Sequence, residues 1–550
     1  MLRMPVPSPV ATAPISVPPI LLHELPARAA TCWPDAVALV SEGRVCRYAA
    51  LQAQIDRLAR QVLQWGLAGG DRVAVYLDKR IETVVASFAA TAAGGVLVPI
   101  NPVLKPAQVA HILRDSGARV LVTTAARLDA LVRELEECPD LAHVVLVDLP
   151  IALPADVRWR CHGWPTAGDD HGVPQALPSG LETDVAAIFY TSGSTGLPKG
   201  VVLSHRNLVA GAGSVASYLG NHGGDVLLAA LPLSFDAGFS QLTTAFLVGA
   251  RVVLLNYLLP RDVLVAMVRE GVTGLTAVPP LYMQLAALSW PPEAGTRLRY
   301  WANTGGRMPK ATLDALRLRL PNAEPFLMYG LTEAFRSTYL PPEELDRRPD
   351  SMGRAIPNVR LLVLREDGSE CDADEPGELV HRGPLVAQGY WRRPEETALR
   401  FRPLPLGLVP LAEARLAPEI AVFSGDTVRR DAEGYLYFVG RRDEMIKTSG
   451  YRVSPTEVEE AVFASGLVQE SLAVGLEHEQ LGQAIHVAAV ASSRASGDAE
   501  QDTARLLAHC RAQLPAYMVP AVVHWVPSPL PRNPNGKLDR QHWKTEHARI

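Results

Sequence analysis

Tyr190-Thr191-Ser192-Gly193-Ser194-Thr195-Gly196-Leu197-Pro198-Lys199-Gly200 is the stretch on which the fold turns. An apolar run over 185–190 feeds into it and a second begins at Val201, so a segment of hydroxyls, glycines and one lysine lies between two expected strands. Gly193, Gly196 and Gly200 permit backbone angles closed to other residues, which lets amide groups converge on an anion. The hydroxyls of Thr191, Ser192, Ser194 and Thr195 add donors, and Lys199 adds charge. The stretch reads as a phosphate loop. It is not a Walker A loop, because G-x-x-x-x-G-K-[ST] cannot be threaded through it or anywhere else in the chain. A solvated Ser/Gly linker is the bland alternative, but linkers are seldom held between hydrophobic runs and closed by Pro-Lys-Gly.

Outward from the loop, short apolar runs alternate with helical periodicity. Residues 49–65 form an amphipathic helix pattern, 72–77 a strand, 81–93 a helix and 119–123 a strand; 227–232, 251–255 and 274–278 read as further strands, and Ser204 is placed to cap a helix starting at His205. This alternation predicts an α/β fold: a large N-terminal domain of mostly parallel β/α layers. Residues 149–182, rich in Pro, Asp and Gly, read as a surface connection. Runs at 360–365 and 377–381 around Asp/Gly turns predict a small β-rich subdomain. Residues 402–420 have no clear period. After a strand ending in Gly440-Arg441-Arg442-Asp443, Ser454, Pro455 and Glu457 predict a helix opened by a capping box, and the last hundred or so residues hold about two helices and three strands, a small α+β domain. The expected division is a disordered leader over 1–20, a core over 21–440, a hinge at 441–443 and a mobile C-terminal domain over 444–550.

At 550 residues the chain is too long for one ordinary core. Its 48% hydrophobic and 20% charged content is that of a soluble globular protein, and a net charge of −5 gives no electrostatic basis for binding nucleic acid or an anionic membrane. Six scattered cysteines without a C-x-x-C pair indicate neither a zinc site nor a disulfide framework, and fit a reducing cytoplasm. Pro5, Pro7, Pro9, Pro14, Pro18 and Pro19 break any signal-peptide helix. The apolar run 84–100 is divided by Gly94-Gly95 and reads as a buried helix, a tight turn and a strand rather than a membrane span.

Four further motifs accompany the loop: Tyr329-Gly330-Leu331-Thr332-Glu333, Ser424-Gly425-Asp426, Gly440-Arg441-Arg442-Asp443, and Asn533-Pro534-Asn535-Gly536-Lys537-Leu538-Asp539-Arg540. Together, in this order, they resemble the AMP-forming adenylating superfamily of acyl-CoA synthetases, adenylation domains and luciferase-like enzymes, over about residues 25–545. Within it the chain looks similar to exosortase-associated acyl-CoA ligases and to stand-alone aminoacyl, especially prolyl, carrier-protein ligases.

The resemblance implies that a carboxylic acid and ATP give an acyl adenylate and pyrophosphate, and that the acyl group then passes to CoA or to the phosphopantetheine of a separate carrier protein. ATP and Mg²⁺ are implied with it. The Thr191–Lys199 loop and the metal would neutralise the phosphates. Glu333 looks like the metal-linked acid, Thr332 the α-phosphate donor, and Tyr329 with Gly330 the adenine wall. Asp426 resembles the residue that takes both ribose hydroxyls, with Arg441 beside it on ribose or phosphate. Lys537 is implied as the lysine bridging the substrate carboxylate and the α-phosphate. Asp443 matches the hinge position, and Lys447, Gly450 and Tyr451 would open the thiol tunnel after rotation; Glu444 departs mildly from the second acid usual after the hinge.

Leu233-Ser234-Phe235-Asp236-Ala237-Gly238-Phe239, with Gly305 and Gly306, is the implied substrate pocket. In amino-acid-adenylating relatives a Phe-Asp pair here receives the substrate ammonium, and Phe235-Asp236 matches it. A buried carboxylate needs a cation or several donors. Asp236 capping the next helix, and a plain acyl acid as substrate, stay open as alternatives, as does a non-catalytic acyl- or nucleotide-binding scaffold.

Overall fold

The two apolar runs that flank the phosphate-loop stretch pair as antiparallel strands. Strands Val185–Thr191 and Lys199–Ser204 pair with Thr191 opposite Lys199 and Tyr190 opposite Gly200. A side chain at Gly200 would meet Ile188 Cγ2 at 2.5 Å and Tyr190 at 3.2 Å, so the closing glycine is required by the packing of the facing strand. The computed structural model describes residues 18–148, 157–166, 176–191, 198–405, 418–441, 444–448, 451–478, 481–514, 516–527, 529–533 and 537–547. Ser192, Gly193, Ser194, Thr195 and Gly196, Asp443 and Gly450 lie outside these residues, as does most of the stretch 1–20.

Among the described residues the hairpin belongs to an eight-stranded sheet, which faces a nine-stranded one. The pairings Arg72–Val75 with Val96–Pro99 and with Ala118–Thr123, and Val226–Ala229 with Arg251–Leu254, are parallel, as β/α alternation requires. One core is shared by both sheets and the helices between them, drawing on Leu39, Leu227 and Val252 from one sheet and Val73, Leu97 and Val201 from the other. Helix Ile81–Ala92 is buried at every position, which explains why it is mostly apolar, and its Glu82 is paired with Arg44 and Arg80. Gly94 follows it with φ 73 and strand Val96–Pro99 completes the run, so the segment folds as the expected helix, turn and strand. No helix of the described residues is long and apolar enough to cross a membrane. The six cysteines are all free.

Strands Arg360–Leu364, Gly377–Arg382, Phe401–Pro403, Ile420–Arg430 and Leu436–Arg441 form a small antiparallel sheet, the expected β-rich subdomain. Beyond it stands a C-terminal sheet in which the edge strand Val468–His478 pairs along its length with Gly482–Ala491.

Three expectations are corrected. The connection 149–182 is not wholly irregular: Arg160–Gly163 is a strand that adds in parallel to His143–Leu146 at the edge of the eight-stranded sheet. The C-terminal part is richer than expected, with helices Pro455–Ala464, Ala499–Gln513 and Arg540–His547 and five strands among the described residues. The last helix carries mostly polar residues and hides its packing in one buried side chain, Trp543. Ser454 does stand at the N-cap of its helix with Pro455 inside, but its hydroxyl makes no cap hydrogen bond. That hydroxyl lies instead against Gly440, whose added Cβ would be 3.1 Å from it, and has no partner among the described residues.

Candidate active site

The hairpin places Lys199 at the start of its second strand, and strand Gly389–Tyr390 adds alongside, with Tyr390 opposite Val201. Lys199 Nζ lies 3.9 Å from the centre of the Tyr390 ring, a cation–π contact, and 3.6 Å from Glu396 Oε2. The Tyr390 hydroxyl donates to Glu333 Oε1 at 2.7 Å. Burial, with the Glu333 carboxylate adding to it, pushes the Tyr390 phenol far above its ordinary range, so it stays a donor. Glu333 and Thr332 belong to a single 3₁₀ turn, Thr332–Ala334, tied down by Ala387 N–H donating to the Glu333 carbonyl at 2.9 Å. Tyr390 thus joins two groups that are far apart in the chain, and the sequence motifs do not single it out. Its signal there is the Gly-Tyr pair that ends the β-rich stretch.

Tyr329 closes strand Glu324–Tyr329, and its hydroxyl donates to Asp426 Oδ2. Asp426 is 4% exposed and held by strand register opposite Arg441, whose Nε is 3.2 Å from Asp426 Oδ1. The preceding Gly425 has φ 71, which only glycine adopts freely, and its N–H donates to Glu378 Oε1 at 3.0 Å. At Gly330 an added Cβ would lie 3.2 Å from the Arg336 backbone, so this turn is closed as well. The His381 ring lies 6.4 Å from that of Tyr329 at an interplanar angle of 21°; burial, with the nearby Arg400 charge, lowers it to about 3, so it packs as a neutral ring.

Lys537 comes from the C-terminal part, in a turn where Asn533 N–H donates to the Lys537 carbonyl at 2.8 Å and the Lys537 N–H to Asn533 Oδ1 at 3.1 Å. Partial loss of hydration lowers the Lys537 ammonium from its usual range and Arg441 adds to this, while Asp236, Asp426 and Glu333 oppose it. The side chain itself is solvent-accessible, as for a group on the wall of a cleft. Beside this loss of hydration, two carboxylates and a guanidinium from the N-terminal strands and turns, and Asp236 from a fourth element, all act on this one ammonium.

Asp236 opens helix Asp236–Val248, with Phe235 rather than Asp236 at the N-cap position and no side-chain cap bond there. Burial raises its carboxyl, and Glu333 adds to the rise; Arg336, the Ala237 N–H and Lys537 oppose it. The carboxyl thus takes the Ala237 N–H at the start of the helix while the charges of Arg336 and Lys537 act on it. Gly238 fixes the entry of this helix, since an added Cβ would be 1.9 Å from the Pro232 carbonyl oxygen. Gly305 has φ 76, and Asn303 Nδ2 donates to the Gly306 carbonyl at 2.8 Å, which holds that turn beside strand Tyr300–Asn303. Lys447 and Tyr451 lie on the two strands of a hairpin, Ile446–Thr448 and Tyr451–Val453.

Arg336 is a second residue that the sequence motifs miss. It is 3% exposed and donates from Nη1 to Thr304 Oγ1 at 2.9 Å. Its place three residues after Glu333, in an otherwise apolar and hydroxylated run, is the signal the sequence holds for it.

The AMP-binding enzyme family profile matches residues 26–391, and the AMP-binding enzyme C-terminal domain profile matches residues 457–537. The chain is 30% identical over 524 residues to one of the subunits of linear gramicidin synthase from Brevibacillus parabrevis, covering 95% of this chain and 10% of that protein. It is 29% identical over 562 residues to a long-chain-fatty-acid–CoA ligase of Yersinia pestis, covering 96% and 95% respectively. The chain spans about a tenth or less of the length of the synthases that head the curated relatives. Among solved structures, ATP-bound MatB from Rhodopseudomonas palustris superposes with a TM-score of 0.81 at 26% identity, over 96% of this chain and 99% of that one. The Bacillus subtilis o-succinylbenzoate CoA synthetase in complex with ATP and magnesium gives 0.78 at 26% identity, over 94% and 99%. With these profiles covering both parts of the chain, it belongs to the AMP-binding enzyme family.

Proposed function

We propose that the protein is an AMP-forming acid–thiol ligase: a carboxylate attacks the α-phosphorus of ATP and expels pyrophosphate, then a thiol, of CoA or of a carrier-protein phosphopantetheine supplied in trans, attacks the acyl adenylate and expels AMP. The observation that carries this reading is the pair of contacts Tyr329–Asp426–Arg441 and Tyr390–Glu333, with the charges of Asp236, Glu333, Asp426 and Arg441 all acting on the Lys537 ammonium. A lysine so placed spans the distance between a nucleotide held by Asp426 and Tyr329 and an acid held near Asp236, and orients nucleophile and electrophile together. Arg441 and Asp426 hold the ribose end and Tyr329 walls the adenine. Thr332 donates to the α-phosphate, and Lys199 with the 191–196 hydroxyls and amides takes the outgoing pyrophosphate.

The donor set fits Mg²⁺: a carboxylate on Glu333, oriented by Tyr390, is a hard oxygen ligand of the kind this ion takes while its other positions go to phosphates and water. When bound, the ion adds positive charge to the triphosphate. Asp443 as hinge, rotation of the part beyond it, and a thiol path bordered by Lys447, Gly450 and Tyr451 complete the proposed cycle, in a cytoplasmic enzyme. The test is acid-dependent exchange of pyrophosphate into ATP, followed by thioester formation with CoA. Purified protein that exchanges pyrophosphate with no acid, and yields no adenylate, would sink the proposal and leave the scaffold reading.

A second reading, amino acid to carrier protein, is favoured by Asp236. Its carboxyl is raised by burial and lies in the field of Lys537, the arrangement that seats an ammonium on one group and the reacting carboxylate on the other. Exchange with amino acids that Asp236→Ala abolishes supports it; exchange with fatty acids that the substitution leaves intact removes it.

A further inference from the structure

Around the start of helix Asp236–Val248, several buried hydrogen-bonding atoms have no partner among the described residues. They are Ser240 Oγ, one turn beyond Asp236, Asn303 Oδ1 at the end of its strand, Arg336 Nε and Ser337 Oγ. All four residues are 3% exposed or less. They come from separate parts of the chain yet meet: Arg336 bonds Thr304, the neighbour of Asn303, and its charge acts on Asp236. Buried polar atoms are paired in nearly all native structures, and a buried guanidinium is costly unless anions face it; Asp236 is one such group, and Arg336 Nε still has no hydrogen-bond partner among the described residues.

Arg336 is also aimed here at the expense of the backbone. Phe335, just before it, has φ 55 and ψ −48, a region that side-chain-bearing residues rarely enter. The strained turn is held because the Phe335 ring fills the space left by Gly211, where an added Cβ would stand 2.4 Å from Phe335 Cδ1. Strain maintained by a fitted socket beside a site is commonly tied to what the site does.

We infer that Arg336 is a specificity-determining residue whose guanidinium binds a second anionic oxygen group on the acyl part of the substrate, so that the acid activated is a small, bifunctional one rather than a hydrocarbon-chain acid. This rests on the adenylating function proposed above. Ser240 Oγ, one turn beyond Asp236, and Asn303 Oδ1, next to Thr304, are the further unpartnered atoms open to such a group. Asp236 remains available to an ammonium, so acidic amino acids and simple dicarboxylic acids both fall within the class.

The test is pyrophosphate exchange on the full chain with matched acids: succinate and glutarate against butyrate and hexanoate, and L-aspartate and L-glutamate against L-alanine and L-proline. At least one acid with a second carboxylate should exceed its monofunctional match by tenfold or more in kcat/KM. Arg336→Met should shrink that preference tenfold or more, through KM for the bifunctional acid, with AMP affinity kept, and Arg336→Lys should restore part of it. Wild-type preference for butyrate, hexanoate, alanine or proline overturns the inference while the ligase reading stands, and this comparison needs no variant to fold. Equal loss on every acid in Arg336→Met, with AMP affinity lost too, overturns it in favour of a structural role. Absence of exchange with every acid strikes the ligase reading, and this inference falls with it.

Discussion

Replacing Tyr390 by Phe isolates one hydrogen bond at the centre of the site. The ring stays under Lys199 Nζ at 3.9 Å, so the cation–π contact survives, while the hydroxyl that donates to Glu333 Oε1 at 2.7 Å is removed. A hydrogen bond to a charged group contributes about 1.5–3 kcal/mol. With each 1.4 kcal/mol worth about tenfold, complete loss corresponds to roughly 10- to 150-fold. Tyr390 is buried but Glu333 is only half-buried, so water can replace part of the lost donor and the lower end of that range applies. The expected result is adenylation about tenfold slower in pyrophosphate exchange, with AMP affinity unchanged because Tyr329 and Asp426 do not depend on Tyr390. Raising Mg²⁺ should recover part of the rate, since the carboxylate is loosened rather than lost. Tyr390→Leu also removes the ring and should be slower by a further ~0.5–2 kcal/mol. Wild-type exchange by Tyr390→Phe would refute the idea that Tyr390 orients Glu333.

Lys537→Ala should slow adenylation by about a hundredfold or more, the scale for removing a preorganised charge, while thioester formation from supplied acyl-AMP survives. Because the Lys537 ammonium is lowered from its usual range, the wild-type exchange rate should fall on a basic limb that begins below ordinary lysine titration, and Lys537→Arg should move that limb upward; an unmoved limb assigns it to another group. Gly238→Ala puts a Cβ against the Pro232 carbonyl, which is backbone and has little room to give, so the urea midpoint should drop by the equivalent of about 3 kcal/mol. Lys79, whose Nζ donates to the Ala230 carbonyl at 2.9 Å, is lowered by burial to about 8. Between that value and the ordinary 10.5 the unfolded chain holds a proton that the folded one has released, so raising pH through this window should stabilise wild type relative to Lys79→Met in thermal melts; a constant difference would show that the lysine is not desolvated.

Local pattern makes much of this legible. The hairpin at 185–204 is readable because two apolar runs bracket a glycine-rich stretch, and helix Ile81–Ala92 because its run is mostly apolar. Asp426 and Arg441 sit in named motifs, and strand register brings them face to face. What pattern does not supply is pairing across long separations. Tyr390 reaches Lys199 only because its two-residue strand lies beside Val201, and nothing local to either residue encodes that. Arg336 is legible only after a strained turn and a glycine in another helix have aimed it. The capping box at Ser454 shows the limit of local pattern: the signal is present, but the hydroxyl lies against Gly440 and makes no cap hydrogen bond.

Arg540 stands three residues beyond Lys537 and is fastened at its far end. Its Nη2 bonds both carboxylate oxygens of Glu459 at 2.7 Å, and Nη1 lies 3.3 Å from Glu444, just past the expected hinge. Asp539 N–H adds a bond to the Pro531 carbonyl at 2.8 Å. The short segment between the two basic residues is therefore a spacer of fixed length, clamped to helix Pro455–Ala464. Lengthening or shortening it by one residue would displace the ammonium by about 3 Å without altering any residue of the site, a larger error than most side-chain replacements produce. Length here is under tighter constraint than identity: Leu538 can change, but its place in the count cannot.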